Sequence, residues 1–412
     1  MQNIGLRITI PPKMHIKIRS RLLLSIFCFL FPPSLCQSNP ESPHYVGAVV
    51  EYHPSTTNGN VEAAAFRNAL NYAAIIKKAK EINSNLDIIV FPESALINFD
   101  EKINQSEEEW RKYKAPLASY VPNPTEKVTP CGDENTKVSK TLEIMSCVAK
   151  EYNTYVVINH LEKDDCTNCS SDKINLYNSN IAFDRTGRII SRYRKYNLFL
   201  EPGINVTSKP EISIFETDFG VKFGQLICFD ILHEKPALDL LNKHQVADFV
   251  LSVHWFDELP FLVAVEVLAA WSYANNVNLL SSGYNNPSTG TTGSGIFAGI
   301  YERMPGVFRS ETLKNVLLIA NVPKVRNGVR SDKVKNETIL YEFTDNEVST
   351  IEDKLTKHSS FWFDELSSYT TKLLEPNMDQ FLTLCKDDFC CYFNHKAQYN
   401  MTAVNNREKY YR

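Results

Sequence analysis

Three side chains of different chemistry stand where an apolar run of the chain gives way to a loop. Glu93 follows the run 86–91 after Pro92, Cys228 closes the run 221–228, and Lys195 lies in the segment after a hairpin. A thiol becomes a nucleophile when a base removes its proton. The oxyanion formed when it attacks a carbonyl then needs a positive group or N–H donors. A glutamate and a lysine supply both without a histidine. Spacing alone is weak, because any α/β protein carries Glu, Lys and Cys near strand ends. Cys228 also reads as a buried structural thiol or half of a disulfide. Glu93 also reads as a helix cap, and Lys195 beside Arg194 as a solvated charge.

The elements that must position these groups alternate along the chain. Residues 45–52 are apolar and β-branched and read as a strand. Residues 61–83 carry Ala65, Leu70, Ala73, Ala74 and Ile76 at helical spacing, which predicts an amphipathic helix. The unbroken apolar run 86–91 is the mark of a strand buried on both faces. A helix over 139–152, a strand over 155–161 and a hairpin of 180–184 with 188–191, turning at Arg185-Thr186-Gly187, come next. Strands over 221–228, 247–254 and 277–282 then enclose helices over 236–244 and 261–276. Strand and helix alternating in this way predict an α/β domain from about Tyr45 to Val325. Past Arg326 the pattern weakens. Asn327-Gly328 and the charged run to Lys335 read as a linker or exposed loop, and 326–412 as an appendage containing Cys385, Cys390 and Cys391. The polar ending NNREKYYR predicts neither a membrane span nor a lipid-anchor signal there.

Composition narrows the class. The 412 residues are 43% apolar and 22% charged with a net charge of −4, so nothing points to a nucleic-acid surface or a polybasic membrane patch. At the amino end, Lys13, Lys17, Arg19 and Arg21 precede the apolar run 22–31, and Pro32-Pro33-Ser34-Leu35-Cys36 follow. This pattern predicts a secretory signal peptide over 1–36, with a buried amino-terminal helix as the alternative. The run is too short for a membrane span, which needs about 20 apolar residues. Translation from Met1 or from Met14 fits equally.

A secreted, extracellular chain offers Asn104, Asn168, Asn205, Asn336 and Asn400 as glycosylation sites. It also favours disulfides among Cys131, Cys147, Cys166, Cys169, Cys385, Cys390 and Cys391. That odd set, with Cys228 kept for chemistry, leaves at least one thiol free or paired with another chain. Cys166-Thr-Asn-Cys169 has zinc-like spacing but no second Cys/His pair, so it reads as disulfide-bonded and no metal is expected. None of the nine histidines sits in a motif with Cys228, which disfavours a papain-like site. Trp255 directly follows a predicted strand end and is a candidate pocket residue, whereas Trp271 and Tyr284 read as core.

The local motifs are less common than the spacing. They read Phe91-Pro92-Glu93-Ser94-Ala95, then Tyr193-Arg194-Lys195-Tyr196-Asn197-Leu198-Phe199-Leu200-Glu201-Pro202-Gly203, then Gly224-Gln225-Leu226-Ile227-Cys228-Phe229-Asp230-Ile231-Leu232. In that order they resemble the nitrilase superfamily of carbon–nitrogen hydrolases, and most closely its vanin and biotinidase branch. The segments Asn205-Val206-Thr207, 255–271 and Thr292-Gly293-Ser294-Gly295-Ile296-Phe297 are similar to it as well. The resemblance covers roughly 45–325, with a looser echo at Cys390-Cys391-Tyr392.

It implies an α/β fold, a four-layer α-β-β-α sandwich over 37–325, followed by a shortened carboxyl-terminal domain over 326–412. Glu93 would be the general base, Lys195 the oxyanion stabiliser and Cys228 the nucleophile, with Glu201 near a second glutamate that orients lysine and substrate. The implied reaction is cofactor-free hydrolysis of a linear amide in a small metabolite. Pantetheine, giving pantothenate and cysteamine, is the leading substrate. Biotinyl-lysine, a nitrile, and a non-catalytic binding protein on the same scaffold are the alternatives. The chain departs from the family at Glu234-Lys235-Pro236, where Asp-Pro is usual, at Glu93-Ser94, where Glu-Asp is frequent, and in its short carboxyl end. If the compartment is read correctly, the protein recovered from culture medium starts near Gln37 and loses mass on glycosidase treatment. Cytosolic protein with residues 22–31 intact and no glycan overturns that expectation.

Overall fold

The computed structural model of this chain describes residues 37–56, 60–98, 106–166, 172–300, 306–308, 312–332, 334–335, 337–348, 362–363, 367, 370, 372 and 379–396. The expected signal segment and the sites at Asn104, Asn168, Asn336 and Asn400 lie outside these residues.

The first sheet grows from the buried run that precedes Glu93. Strand β2 (Ile88–Val90) is fully buried and runs parallel between β1 (His44–Glu51) and β4 (Tyr155–Asp165). The short β3 (Ser119–Tyr120) pairs with β4, and β5 (Ile174–Phe183) and β6 (Ile189–Arg194) continue the sheet as antiparallel strands. The turn between β5 and β6 holds Gly187 at φ +79°, where an added Cβ would meet the Ser146 carbonyl oxygen at 2.3 Å. Glycine is therefore the residue this turn accepts. Side chains alternate along each strand. Ala48, Val50, Ile89, Phe91, Val156 and Ile158 face helices α1 (Val61–Ile82) and α3 (Lys140–Glu151), while the short α2 (Glu107–Lys114) lies between these in sequence. Ser139 and Asn60 cap α3 and α1 through side-chain oxygens. The helical spacing located α1 but misjudged its buried face. Ala65 and Ile76 do face inward, but Leu70 is 48% exposed, and Ala69, Tyr72 and Ala79 complete the buried face.

The second sheet repeats the plan. Strand β7 (Ile214–Glu216) is antiparallel to β8 (Lys222–Ile227), and β8 and β9 (Asp248–Val253) are parallel. The short β10 (Glu258–Leu259) comes next in sequence and helix α5 (Ala264–Asn275) leads into β11 (Asn278–Gly283), parallel to β9. Strands β12 (Ser294–Ala298) and β13 (Gly306–Phe308) finish the sheet as antiparallel neighbours. The helix expected over 236–244 is helical over 236–242: it starts beyond Lys235, which keeps extended backbone at φ −116°, opens as a π-helical turn, and is α-helical in α4 (Asp239–Asn242). Leu240, Ala264 and Leu268 cover Leu226, Phe249, Leu251 and Leu279 on the outer face.

The inner faces pack on one another. Tyr45, Val49, Ile88, Val90 and Val157 of the first sheet meet Phe215, Phe223, Val250, Leu280 and Ile296 of the second. Helix, sheet, sheet and helix therefore stack as the expected four-layer α-β-β-α sandwich. Burial of each large apolar side chain contributes roughly 1.5–3 kcal/mol, so this interface holds the layers together. Polar side chains fix the register between sheets. Ser252 Oγ donates to the Phe91 carbonyl (2.8 Å), and Asn180 Nδ2 donates to the Leu226 carbonyl (3.2 Å).

Beyond the second sheet, β14 (Val316–Pro323) returns beside β1. A short pair, β15 (Val325–Arg326) with β16 (Val329–Arg330), follows, and β17 (Thr338–Glu342) then pairs with β14 at the edge of the first sheet. The chain divides into two units, one of residues up to 257 with 261–361, and one of 258–260 with 362–412. The second holds the parallel pair of β10 with β18 (Trp362–Phe363) and the hairpin of β19 (Asp379–Lys386) with β20 (Phe389–Lys396). Disulfides join Cys131 to Cys147 and Cys385 to Cys390, and Cys166 is also disulfide-bonded. Among the described residues Cys228 and Cys391 are free, and the count had required at least one such thiol besides Cys228.

The hairpin turn carries one charge into the core. Arg185 bonds Asp87 at 2.7 Å with both side chains buried, and reaches Asp218 and the Asn153 carbonyl. Arg185→Met strands the Asp87 carboxylate in the core, and removing one partner of a buried pair costs roughly 3–5 kcal/mol. The urea unfolding midpoint should fall accordingly. An unchanged midpoint would show that the pair contributes nothing to stability.

Candidate active site

The site lies where parallel strands of both sheets end, at the crevice that such ends form in α/β sheets. Glu93 follows β2, Cys228 follows β8, His254 follows β9 and Lys195 follows β6. Three turn residues adopt positive φ although none is glycine: Ser94 at +56°, Leu200 at +49° and Cys228 at +46°. Such backbone costs on the order of 1–3 kcal/mol per residue and persists only where the surroundings hold it. At Cys228 the holding group is Asp230. It accepts from Ile227 N (3.1 Å), Tyr193 Oη (2.8 Å), Asn197 N (2.9 Å) and Asn197 Nδ2 (2.8 Å). One buried carboxylate thereby ties the cysteine turn to the loop that carries Lys195. Burial pushes the Asp230 carboxyl above the usual range despite these donors.

Lys195 is 2% exposed. Its Nζ donates to Glu93 Oε1 at 2.7 Å and to Glu201 Oε1 at 2.6 Å. Burial opposes the ammonium, but Glu201 and Glu93 outweigh it and hold its affinity for the proton well above the ordinary lysine range. Two of the three N–H donors are thus committed to protein, and among the described residues the third has no protein acceptor. Glu93 also accepts from His254 N at 2.9 Å and from Asn178 Nδ2 at 2.7 Å.

Cys228 lies against the Glu93 carboxylate, and its Sγ approaches the His254 carbonyl at 3.6 Å. Burial, and then the Glu93 charge, push the thiol well above its usual range, with Lys195 pulling the other way. The resting sulfur is therefore protonated, and a base must act as the sulfur attacks. The imidazole of His254 stacks on Tyr284 with ring centroids 3.9 Å apart. Burial and the Lys195 charge lower it to about 3, so it stays neutral at physiological pH. Among the described residues, no cluster of His, Cys, Asp and Glu has the make-up of a metal site.

The structure brings Glu93, Lys195, Cys228 and Glu201 together. Trp255 turns into the core beside Cys228, is 6% exposed, and donates its Nε1–H to the Leu262 carbonyl. The carbonyl of its neighbour His254 faces the sulfur, and the His254 ring stacks on Phe256. Asn205 is half-buried, with Oδ1 accepting from Arg111 and from Leu176 N. Reading the sequence missed Asn159, Asn178, Asp230 and His254. Asp230 stood in the cysteine motif, two residues from the thiol, and that was a usable signal. Asn178 and Asn159 lie inside predicted or unrecognised strand, where nothing in the pattern marks them.

Residues 48–256 match the carbon-nitrogen hydrolase family. Vanin-like protein 1 of Drosophila melanogaster is 36% identical over 388 residues, covering 90% of this chain and 64% of that protein. A pantetheinase of Canis lupus familiaris is 30% identical over 407 residues, covering 93% of this chain and 73% of that protein. A solved Saccharomyces cerevisiae member of branch 10 of the nitrilase superfamily superposes with a TM-score of 0.50 at 18% identity. That match covers 70% of this chain and 93% of the yeast chain, and it bears on fold alone. The chain belongs to the carbon-nitrogen hydrolase family. Within it the chain falls in the branch of the vanin-like, pantetheinase and biotinidase proteins. It spans slightly less than two thirds of the insect relative's length.

Asp230→Asn tests the tie between the two turns, because an amide N–H₂ in place of either oxygen meets a backbone N–H, of Ile227 or Asn197, that can only donate. The change should cost about 2 kcal/mol in urea unfolding, the usual size for an unsatisfied buried group. It should also slow alkylation of Cys228. Unchanged stability and reactivity would remove Asp230 from the site.

Proposed function

We propose that the protein is a secreted amidase that cleaves a linear amide through Cys228, Glu93 and Lys195, with pantetheine as its substrate. The observation that carries this reading is the buried contact of Lys195 Nζ with Glu93 at 2.7 Å beside a protonated thiol. Its likeness to a pantetheinase over most of its length supports the choice of substrate. The amino-terminal signal pattern and the disulfides support secretion. Among the described residues no helix is long and apolar enough to cross a membrane.

In the first half-reaction Glu93 takes the Cys228 proton as the sulfur attacks the amide carbon. The oxygen becomes an oxyanion, which the third Lys195 N–H and the backbone N–H of Phe229 stabilise. Donors of this kind are worth about 3–4 kcal/mol each in the transition state. Glu93 passes its proton to the amine, the C–N bond breaks, and a thioester on Cys228 remains. In the second half-reaction Glu93 removes a proton from water as the water attacks the thioester. The carboxylic acid departs and Cys228 recovers its proton. Glu201 holds Lys195 in place throughout.

A base serves both half-reactions, whereas loss of the oxyanion donor stalls the first. Glu93→Gln keeps side-chain shape without basicity, so any acyl-enzyme that forms should persist. Lys195→Ala should acylate slowly and accumulate little. Intact-protein mass spectrometry after brief mixing with pantetheine, biotinyl-lysine or a simple aliphatic amide reads the adduct and the preferred acyl group. An adduct in the lysine variant and none in the glutamine variant would falsify these roles.

A further inference from the structure

Two carboxylates share the single ammonium of Lys195, yet a second group also bridges them. Asn178 Nδ2 donates to Glu93 Oε1 at 2.7 Å and to Glu201 Oε2 at 2.8 Å. Both hydrogens of one side-chain amide are therefore spent on the two acids, and Lys195 and Asn178 close a ring with them. The orientation of that amide is set one residue further back. Ser94 N–H, which can only donate, reaches Asn159 Oδ1 at 3.0 Å. Asn159 must then present Nδ2 on its other side, where it donates to Asn178 Oδ1 at 2.6 Å. Asn178 is left with Nδ2 facing the acids and cannot turn over without setting its N–H₂ against that of Asn159 and its carbonyl oxygen against two carboxylates. Asn178 and Asn159 are buried, at 7% and 4% exposed, so water does not replace these bonds.

We infer that the Asn159–Asn178 relay is a positioning device: it aims both donors of one amide at Glu93 and Glu201, so that the two carboxylates share Lys195 and Glu93 faces the Cys228 thiol as its base. Like charges at close range raise the proton affinity of one of the pair, and N–H donors oppose this. The groups facing Glu93 are Lys195, Glu201, Asn178, the Cys228 thiol and the backbone N–H of His254. The neutral imidazole of His254 adds no charge. Without Asn178, the two acids share one ammonium with a single backbone donor each, His254 N on Glu93 and Phe199 N on Glu201. The sulfur then loses its base sooner than in the parent as pH falls.

The inference rests on Glu93 acting as the base, and the experiment separates the two ideas. The rate of Cys228 alkylation by iodoacetamide is followed from about pH 4 to 9 in the full chain, with thermal unfolding as a check on folding. Asn178→Ala, and Asn178→Ser as a smaller disturbance, should move the acid limb up by about one pH unit, the size of effect expected for a lost charge-assisted bond. That is roughly tenfold slower labelling below both midpoints, with rates at high pH within about threefold of the parent. Asn159→Asp, which touches neither acid directly, should move the limb in the same direction by turning Asn178 over. Adding Asn178→Ala to it should give less than the sum of the two shifts. A uniform fall in rate with an unmoved limb, or additive shifts in the double variant, overturns the relay. Glu93→Gln decides the underlying reading: it should abolish the limb, and a parental profile in that variant shows that Glu93 is not the base. Because alkylation needs no natural substrate, failure to cleave pantetheine would count against the substrate and leave the relay standing.

Discussion

The ammonium of Lys195 is held out of water, and much of the site follows from that. Taking such a charge into a protein interior costs several kcal/mol unless it is paired and hydrogen-bonded. Here Glu93 and Glu201 pair it, and the excess negative charge of two acids on one lysine is itself in need of donors. Asn178, His254 N and Phe199 N supply them, at 2.7–2.8 Å for Asn178, 2.9 Å for His254 and 3.3 Å for Phe199. Each donor comes from a different element, so the charge cluster exists only when β5, the end of β9 and the loop after β6 are all in register. Lysine in this place is fixed as a cation, which suits it to meet an oxyanion and unsuits it to act as a base.

The thiol is set the opposite way. Burial and a neighbouring carboxylate favour its proton, so reactivity is not stored in a standing thiolate. The arrangement differs from a thiol beside an imidazolium, where the thiolate is already formed. The one imidazole at hand, His254, is kept neutral and contributes its backbone instead: its N–H fixes Glu93 and its carbonyl faces the sulfur. Under the proposed roles deprotonation is tied to the moment of attack, which spares the resting thiol indiscriminate chemistry. The free Cys391 lies in the other unit of the chain, half-buried in a hairpin strand.

Precision at the site comes from the sandwich beneath it. Each sheet has three parallel strands at its centre, β1, β2 and β4 in one and β8, β9 and β11 in the other, and the two inner faces share one apolar layer. Glu93 and Cys228 hang from different sheets, so a slip between the sheets would separate base from nucleophile. Ser252 to the Phe91 carbonyl and Asn180 to the Leu226 carbonyl are cross-sheet bonds within two or three residues of those two side chains. The positive φ values at Ser94, Leu200 and Cys228 are the local strain that this packing sustains.

Much of this was written in the linear order of residues. Continuous apolar runs marked β2, β8, β9 and β11, because strands covered on both faces need no polar alternation. The turn Arg185-Thr186-Gly187 appeared because only glycine suits its backbone, and the motifs around Glu93, Lys195 and Cys228 carried the family and the sandwich. Helical spacing, which reports periodicity and not direction, found α1 but chose Leu70 for its inner face. The edge strand β17 was silent, since alternation at a sheet margin is weak. Asn159 and Asn178 were invisible for a deeper reason: hydrogen-bond partners 85 residues apart, as Asn178 and Glu93 are, leave no local trace. The sequence alone determined which groups are the candidates for the chemistry and which kind of scaffold holds them. Only tertiary structure decided their charge states, because burial, the second carboxylate and the orientation of one amide depend on distances between strands that the chain brings together last.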